Sequence, residues 1–221
     1  MREPAPPVLV FDLFGVIARH QSPESVAAIE RAAGLSGPRL WRPYWDLRAP
    51  YDRGDQSGRD YWRTVARAAG TGFGDDQLDE LVVRDLESWS EVDDEMVDLV
   101  GEMSGLTRLA LLSNLPSDLA AHVEVLHRSW LDVFEVRAFS CRIGYAKPEA
   151  GAYTWCLEKL GVPASDTVFV DDRAENIRAA ERLGMTGHLF TTLDDLRRAL
   201  VEPYRIGRRA PAAEAVKAEE R

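Results

Sequence analysis

Residues 8–17 read Val-Leu-Val-Phe-Asp-Leu-Phe-Gly-Val-Ile, an apolar run that ends in one carboxylate, Asp12, and then breaks at Gly15. This pattern is typical of a buried parallel strand that carries a reactive group at its carboxyl end. An aspartate after an apolar run is also common as a helix cap or as a turn residue. The segments that follow along the chain favour the strand.

Polar groups follow or flank three later apolar runs. Ser113 and Asn114 follow residues 109–112, and Asp171 and Asp172 follow residues 167–170. Lys147 lies in the loop 144–148. Open α/β sheets collect such groups in a crevice at the carboxyl ends of their strands. We therefore predict that these side chains lie together at one edge of a sheet.

Strand and helix patterns alternate in the second half of the chain, with predicted helices at residues 93–103, 117–126, 148–160, 174–183 and 193–200 and predicted strands ending near residue 112 and at residues 136–139, 167–170 and 187–190. This alternation predicts an α/β fold with a doubly wound, Rossmann-like parallel sheet.

A long helical excursion separates the first strand from the second. Residues 23–33 form a predicted helix with Ser22 as its N-cap and Gly34 as its stop, and three more helical patterns lie between residues 39 and 89. A crossover between parallel strands needs only about a dozen residues. We therefore predict an inserted α-helical cap.

The predicted division of the chain has four parts, which are a core of residues 8–20 and 91–200, a cap of residues 21–90, a tail of residues 201–221 and an irregular start before residue 8. The tail is rich in Ala and charged residues without apolar periodicity, which is typical of a solvated segment.

The composition argues against several classes of partner. The 221 residues carry a formal net charge of −10, which disfavours general binding to nucleic acid or to anionic membranes. No apolar run approaches the length of a membrane span, and the start lacks the apolar region of a signal peptide. Cys141 and Cys156 lack metal-ligand spacing, and a reduced pair is expected. We predict a cytoplasmic protein, monomeric or homodimeric.

Taken in order, five segments resemble the motifs of the haloacid dehalogenase-like (HAD) hydrolases, and they read FDLFGVI, YDRGDQS, SNLPSD, KPEAGAY and VFVDDRAENIRAAERLGM. The resemblance covers residues 8 to 200 and is strongest to the branch that contains α-glucose-1-phosphate phosphatase and the N-terminal phosphatase domain of soluble epoxide hydrolase. It implies a magnesium-dependent phosphatase with a cap over an α/β core.

The resemblance also implies roles for individual residues. Asp12 would be the nucleophile. The ligands of Mg²⁺ would be Asp12, the backbone carbonyl of Phe14 and Asp172, with Asp171 holding a metal-bound water.

The chemistry of these residue types supports the same roles. A carboxylate such as Asp12 can attack phosphorus to give an acyl phosphate. The approach of two anions requires a cation, and Mg²⁺ prefers carboxylates, waters and phosphate oxygens. Asp171 and Asp172 have the alternative role of capping the helix that follows them.

A phosphate group could be held by the hydroxyl of Ser113, the backbone N–H of Asn114 and the N-terminus of the following helix. Lys147 would balance the negative charge of the site, and Asn176 would orient Asp172 or Lys147. The alternatives are a turn serine and a solvated surface lysine.

An aromatic and basic cluster at residues 41–53 falls within the predicted cap. Arg48, Tyr51 and Arg53 lie in a Pro-rich segment that we expect to be non-helical, where they could contact the substrate. The alternative for these side chains is the packed interior of the cap.

Phe14 departs from the pattern of most phosphatases of the family, which carry a second aspartate at this position. That aspartate would protonate the leaving group and activate water, a contribution of about a hundredfold to ten-thousandfold. Three hypotheses remain. The first is a phosphatase acting on a small phosphorylated metabolite. Sugar 1-phosphates are candidates for that metabolite, because their leaving oxygen departs with little protonation. The second is a 2-haloacid dehalogenase, and the third is a non-catalytic phosphate-binding protein.

Overall fold

A computed structural model describes residues 6–204, with side chains to residue 200. Among them, five parallel strands form one sheet in the order β3-β2-β1-β4-β5, with bounds of Val8–Phe11 (β1), Leu109–Ser113 (β2), Val136–Phe139 (β3), Thr167–Asp171 (β4) and Thr186–Leu189 (β5). The predicted fold class is confirmed. The chain adds β2 and β3 on one side of β1 and then β4 and β5 on the other. The strand order therefore reverses between β1 and β4, and sheets of this type bind ligands at such a point.

Six α-helices lie between β1 and β2, and the first five are Pro23–Ala33 (α1), Pro38–Asp46 (α2), Arg48–Asp52 (α3), Gly58–Ala68 (α4) and Asp75–Ser88 (α5). The remaining described helices are Asp94–Ser104 (α6), Ser117–Leu126 (α7), Arg128–Leu131 (α8), Ser140–Ile143 (α9), Ala150–Leu160 (α10), Ala174–Arg182 (α11) and Leu193–Tyr204 (α12).

Alternate residues of the central strands fill two apolar layers. Leu9 and Phe11 of β1 face the layer that includes α6, α7 and α12, whereas Val10 faces the layer of α10 and α11. Both faces of β1 are therefore buried, which explains why its sequence is a continuous apolar run rather than an alternating one.

The cap helices pack around a third apolar cluster that includes Tyr44, Tyr61 and Trp62, each with no exposed surface. Ser22 caps α1 by accepting a hydrogen bond from the backbone N–H of Ser25, as predicted. The expectation of a non-helical segment at Arg48–Asp52 is wrong, because these residues form α3.

The two chain segments that join cap and core lie side by side. Arg19 donates its backbone N–H to Glu91 at 2.9 Å, and Asp93 donates its backbone N–H to Ile17 at 2.9 Å. Two backbone hydrogen bonds thus pair the two segments where the chain passes between core and cap.

The last helix continues to Tyr204, past the predicted end at residue 200. The rest of the predicted tail, residues 205–221, and the first five residues lie outside the described part. None of the described helices is both long and apolar enough to cross a membrane.

Candidate active site

The carboxyl ends of β1, β2 and β4 meet a cavity of about 1160 Å³ between the sheet and the cap helices. The side chains that face it include Asp12 after β1, Ser113 at the end of β2, Asp172 after β4, and Lys147 from the loop before α10. The sequence predicted this meeting point, and the structure brings these residues together there.

Lys147 is the central cation of the site. Its Nζ lies 2.7 Å from Asp12 Oδ1 and 2.7 Å from Asp171 Oδ2, and its side chain is 1% exposed. The ammonium group also lies 5.6 Å from the ring centre of Phe169. One buried positive charge therefore serves two buried carboxylates.

Asn114 fixes the backbone of Lys147. Its side-chain amide accepts a hydrogen bond from the backbone N–H of Lys147 and donates one to the carbonyl of Lys147, each at 2.8 Å. The sequence had suggested a role only for the backbone N–H of Asn114. The positioning of the lysine by this amide was missed, since an i to i+33 contact leaves no local signal.

Asp171 is completely buried and fully engaged. Asn176 Nδ2 lies 3.0 Å from each carboxylate oxygen, and the backbone N–H of Arg173 donates to Oδ1 at 2.8 Å. The expectation that Asn176 orients Asp172 or Lys147 is therefore corrected, because its amide holds Asp171.

Asp172 is less buried and contacts His20, whose Nε2 lies 3.1 Å from Oδ2. Oxygen atoms of Asp12, Asp171 and Asp172 lie within 4.8 Å of one another. Such a set of carboxylates fits a hard divalent cation such as Mg²⁺, and Lys147 alone cannot neutralise all three. Sequence reasoning missed His20, since a lone histidine after a strand carries no specific signal.

Burial raises the pKa of Asp12 from 3.8 to about 7, although Lys147 acts in the opposite direction and Asp171 adds to the rise. Oδ1 of Asp12 accepts a hydrogen bond from the backbone N–H of Leu13 at 2.7 Å and contacts Lys147. Among the described residues, none donates a hydrogen bond to Oδ2. This oxygen is the free end of the carboxylate.

Ser113 has a buried hydroxyl that finds no hydrogen-bond partner among the described residues. A buried polar group without a partner costs about 1–3 kcal/mol. Because Ser113 also lines the cavity, the missing partner can be supplied by a ligand. The helix α7 begins four residues later.

The turn after Asp12 requires glycine. Gly15 has φ of +84°, and a Cβ atom there would lie 2.3 Å from Asp172 Oδ2. The preceding residue, Phe14, lies at the cavity wall, where its ring meets that of Trp89 edge to face at 5.0 Å.

The three cap residues suggested as substrate contacts have different surroundings. Arg48 lines the cavity, but its guanidinium is engaged in a buried network with Asp52. Tyr51 is 1% exposed, stacks on Tyr61 at 4.5 Å and is not among the described lining residues. Arg53 lines the cavity, is partly exposed and contacts Glu149 at 2.6 Å.

Comparison with known proteins adds two curated relatives. A sesquiterpene phosphatase, astK of Aspergillus oryzae, is 32% identical over 103 residues, which cover 46% of this chain and 52% of that protein. Flavin mononucleotide hydrolase 1 of Arabidopsis thaliana is 38% identical over 61 residues, which cover 28% of this chain and 25% of that protein. The chain thus spans about half and a quarter of these two relatives.

Two solved structures show the same fold. The magnesium complex of a HAD family enzyme from Bacteroides thetaiotaomicron has a TM-score of 0.73 at 19% identity, with 89% of this chain and 98% of that chain covered. L-2-haloacid dehalogenase from Xanthobacter autotrophicus has a TM-score of 0.62 at 19% identity, covering 90% and 83%.

The sequence profile of the haloacid dehalogenase-like hydrolases matches residues 6–184, which include strands β1 to β4 and every residue of the carboxylate cluster. The chain therefore belongs to the haloacid dehalogenase-like hydrolase family.

Proposed function

We propose that the protein is a Mg²⁺-dependent phosphatase that cleaves a small phosphorylated metabolite through an aspartyl phosphate on Asp12. The observation that carries this proposal is the cluster of Asp12, Asp171 and Asp172, whose oxygens lie within 4.8 Å of one another and two of which, Asp12 and Asp171, contact the buried Lys147. The names of two relatives, a sesquiterpene phosphatase and a flavin mononucleotide hydrolase, agree with it.

Asp12 is the nucleophile in this proposal. Its Oδ1 is held by Leu13 and Lys147, so that Oδ2 remains free to attack phosphorus. The attack forms a bond between Oδ2 and phosphorus and breaks the bond between phosphorus and the leaving oxygen, which departs as an oxyanion and takes its proton from water. Water then hydrolyses the acyl phosphate, which regenerates the carboxylate and releases inorganic phosphate.

The phosphate group is bound by Ser113, Lys147 and the backbone N–H of Asn114. The hydroxyl of Ser113 gains its missing hydrogen-bond partner when a phosphate oxygen lies beside it. The N-terminus of α7 contributes a favourable dipole close by. A bound phosphate thus satisfies a hydroxyl that is otherwise unused.

Asp12, Asp172 and the backbone carbonyl of Phe14 would hold Mg²⁺. Asp171 already accepts hydrogen bonds on both oxygens, from Asn176 among others, which suits an indirect role through water. The bound ion would reduce the repulsion between the phosphate and the carboxylates and polarise the phosphate oxygens. Asn176 and Lys147 hold Asp171 in its orientation.

Phe14 sets the kind of leaving group. The phenyl ring cannot donate a proton, so the substrate must have a leaving oxygen of low basicity. Sugar 1-phosphates and aryl phosphates meet this condition better than sugar 6-phosphates.

Cap residues provide the selectivity. Arg53 lines the cavity and could exchange Glu149 for a polar group of the substrate. Arg48 and Tyr51 act indirectly in this proposal, by fixing the shape of the cap interior.

Release of phosphate and of halide from a panel of substrates, with and without Mg²⁺, tests the proposal. We expect phosphate release that chelation abolishes, and we expect Asp172→Ala to lose the response to Mg²⁺. Activity that survives chelation unchanged would exclude the metal-dependent mechanism, halide release would favour a dehalogenase, and the absence of both would favour a non-catalytic phosphate-binding protein.

A further inference from the structure

Three aromatic rings form a continuous row along the cavity wall. The row begins at Phe14, two residues after the nucleophile, continues to Trp89 at 5.0 Å and ends at Trp45 a further 6.1 Å away, with both contacts edge to face. All three residues line the cavity. A leaving group that departs from a phosphate on Asp12 therefore has this row beside it.

Trp45 is the exposed end of the row. The residue is 52% exposed, although its ring also contacts the ring of Tyr44 at 4.9 Å. An exposed indole inside a cavity is a ready surface for an apolar or aromatic ligand.

The neighbouring indoles present rings rather than donors to the cavity. The N–H of Trp41 donates to Glu30 at 2.8 Å, and the N–H of Trp89 donates to the hydroxyl of Tyr44 at 3.3 Å. The indole N–H groups of both residues are thus engaged in hydrogen bonds within the protein.

Polar side chains on the cap side of the cavity are also engaged with their neighbours. Gln21 donates to Ser88 at 2.7 Å, and Arg48 donates to Asp52 at 2.9 Å. A sugar needs several free donors and acceptors for its hydroxyls, and the engaged groups do not offer them without breaking existing bonds.

The volume of the cavity points the same way. About 1160 Å³ exceeds the common range of ligand pockets, roughly 300–1000 Å³. A leaving group with one or more aromatic rings would fill space that a small sugar leaves to water.

We propose that the aromatic row of Phe14, Trp89 and Trp45 binds the leaving group and selects phosphate esters of aromatic alcohols, whose leaving oxygen is weakly basic, over sugar phosphates. This inference rests on the proposed phosphatase function and narrows its substrate class. Trp45 is the residue to test, because its exposure allows replacement without opening the core, whereas Trp89 is 7% exposed and helps to fill it.

Binding of two non-hydrolysable phosphonates separates the row from the chemistry. In the presence of Mg²⁺, calorimetry should show that the wild-type protein binds 1-naphthylphosphonate more tightly than methylphosphonate. Trp45→Ala should weaken binding of the naphthyl compound by about tenfold, the size expected for loss of one aromatic contact, and leave methylphosphonate binding within twofold. Trp45→Phe should restore most of the difference.

Trp155→Ala is the matched control, because this half-buried tryptophan of α10 packs against the apolar layer of α10 and α11 and is not among the residues that line the cavity. It should bind both phosphonates as the wild-type protein does. Equal binding of the two phosphonates by the wild-type protein, no binding of either, or an equal loss on both in Trp45→Ala would overturn the inference.

Turnover distinguishes this inference from the function on which it rests. Acetyl phosphate has a leaving group too small to reach Trp45, so its hydrolysis reports on the catalytic cluster alone. If the wild-type protein does not hydrolyse acetyl phosphate, the proposed function fails. If it does, and Trp45→Ala raises the KM for α-D-glucose 1-phosphate as much as that for 1-naphthyl phosphate, the function stands and the selection of aromatic alcohols is wrong.

Discussion

Two buried cations, one in the core and one in the cap, each lie between two carboxylates. Lys147 contacts Asp12 and Asp171, both at 2.7 Å, whereas Arg48 contacts Asp52 at 2.9 Å and Asp85 at 3.4 Å. Burial raises the pKa of Asp52 and Asp85, as it does that of Asp12. Perturbed titration therefore does not distinguish a catalytic site from a structural network here.

The number of hydrogen-bonding groups left without a partner does distinguish the core cluster from the cap network. In the cap, the hydroxyl of Tyr44 donates to Asp85 at 2.6 Å and accepts from Arg48 at 2.6 Å, and the guanidinium lies over the rings of Tyr44, Tyr51 and Tyr61. The cap network thus closes on itself.

The core cluster remains open. Oδ2 of Asp12 receives no hydrogen bond from the described residues, the hydroxyl of Ser113 has no partner among them, and Asp172 faces the cavity. Unused acceptors and donors around a buried cation, rather than the ion pairs themselves, are what mark the candidate active site.

The largest expected effect comes from one matched pair of substitutions. Asp12→Asn should lower the rate of phosphate release by at least about a thousandfold, because the amide keeps the shape of the carboxylate and removes the attacking charge. Asp85→Asn makes the same change in the cap network and should leave turnover of a small ester close to the wild-type rate.

Phosphate release and circular dichroism on both variants check this pair. Retained activity in folded Asp12→Asn protein would show that another group attacks the substrate. A collapse of activity in folded Asp85→Asn protein would show that the cap network contributes to the chemistry.

Arg48→Met should chiefly affect stability. Removal of one partner of a buried ion pair typically costs about 3–5 kcal/mol, because Asp52 and Asp85 are left buried without their cation. Urea denaturation should show the loss, and the folded variant should still respond to Mg²⁺. A change in the Mg²⁺ response with unchanged stability would place Arg48 in the active site instead.

The sequence contains enough information for the sheet and for the core cluster, because both depend on local patterns. Apolar runs predict the strands, and parallel strands bring their carboxyl ends to one edge, so that Asp12, Ser113 and Asp172 meet without any knowledge of long-range contacts. Lys147 was recoverable for a similar reason, since its motif immediately precedes a helix.

The cap could not be interpreted in the same way. The sequence gives Arg48 and Arg53 the same surroundings of Pro and aromatic residues, yet one is buried in an ion network and the other faces the cavity. The partner that decides the role of Arg48, Asp85, is 37 residues away and carries no motif. Trp89 could not be predicted for the same reason, because it is far from Phe14 in the sequence and contacts it only in the folded protein.

The pH dependence offers a smaller effect. The folded-state pKa of Asp12 is raised to about 7, so kcat/KM should fall about tenfold per pH unit below that value as the nucleophile becomes protonated. Mg²⁺ should shift this limb to lower pH, because a cation favours the carboxylate. A rate independent of pH from 5 to 8 without limitation by another step would contradict the role of Asp12.

The free energy of unfolding should decrease as the pH rises, whereas kcat/KM should increase. Because the folded protein holds the proton of Asp12 more tightly than the unfolded chain does, metal-free protein should lose stability as the pH rises from about 4 to about 7. The same titration in Asp12→Asn should show a smaller loss over this range. Denaturation midpoints of both proteins at several pH values provide the measurement.

The smallest effect, and the most specific, concerns Phe14. The wild-type rate should fall steeply as the pKa of the leaving group rises, because the ring at this position donates no proton. Phe14→Asp should flatten that dependence, with a gain of about tenfold or more on the poorest leaving groups and little change on aryl phosphates. Phe14→Leu is the control, since it also removes the contact with Trp89 but supplies no acid. If Phe14→Leu flattens the dependence as much as Phe14→Asp, the change reflects repacking against Trp89. If the wild-type rate is independent of leaving-group pKa while the chemical step limits turnover, another residue supplies the proton, and His20, which lies 3.1 Å from Asp172 in the same cavity, becomes the first to replace.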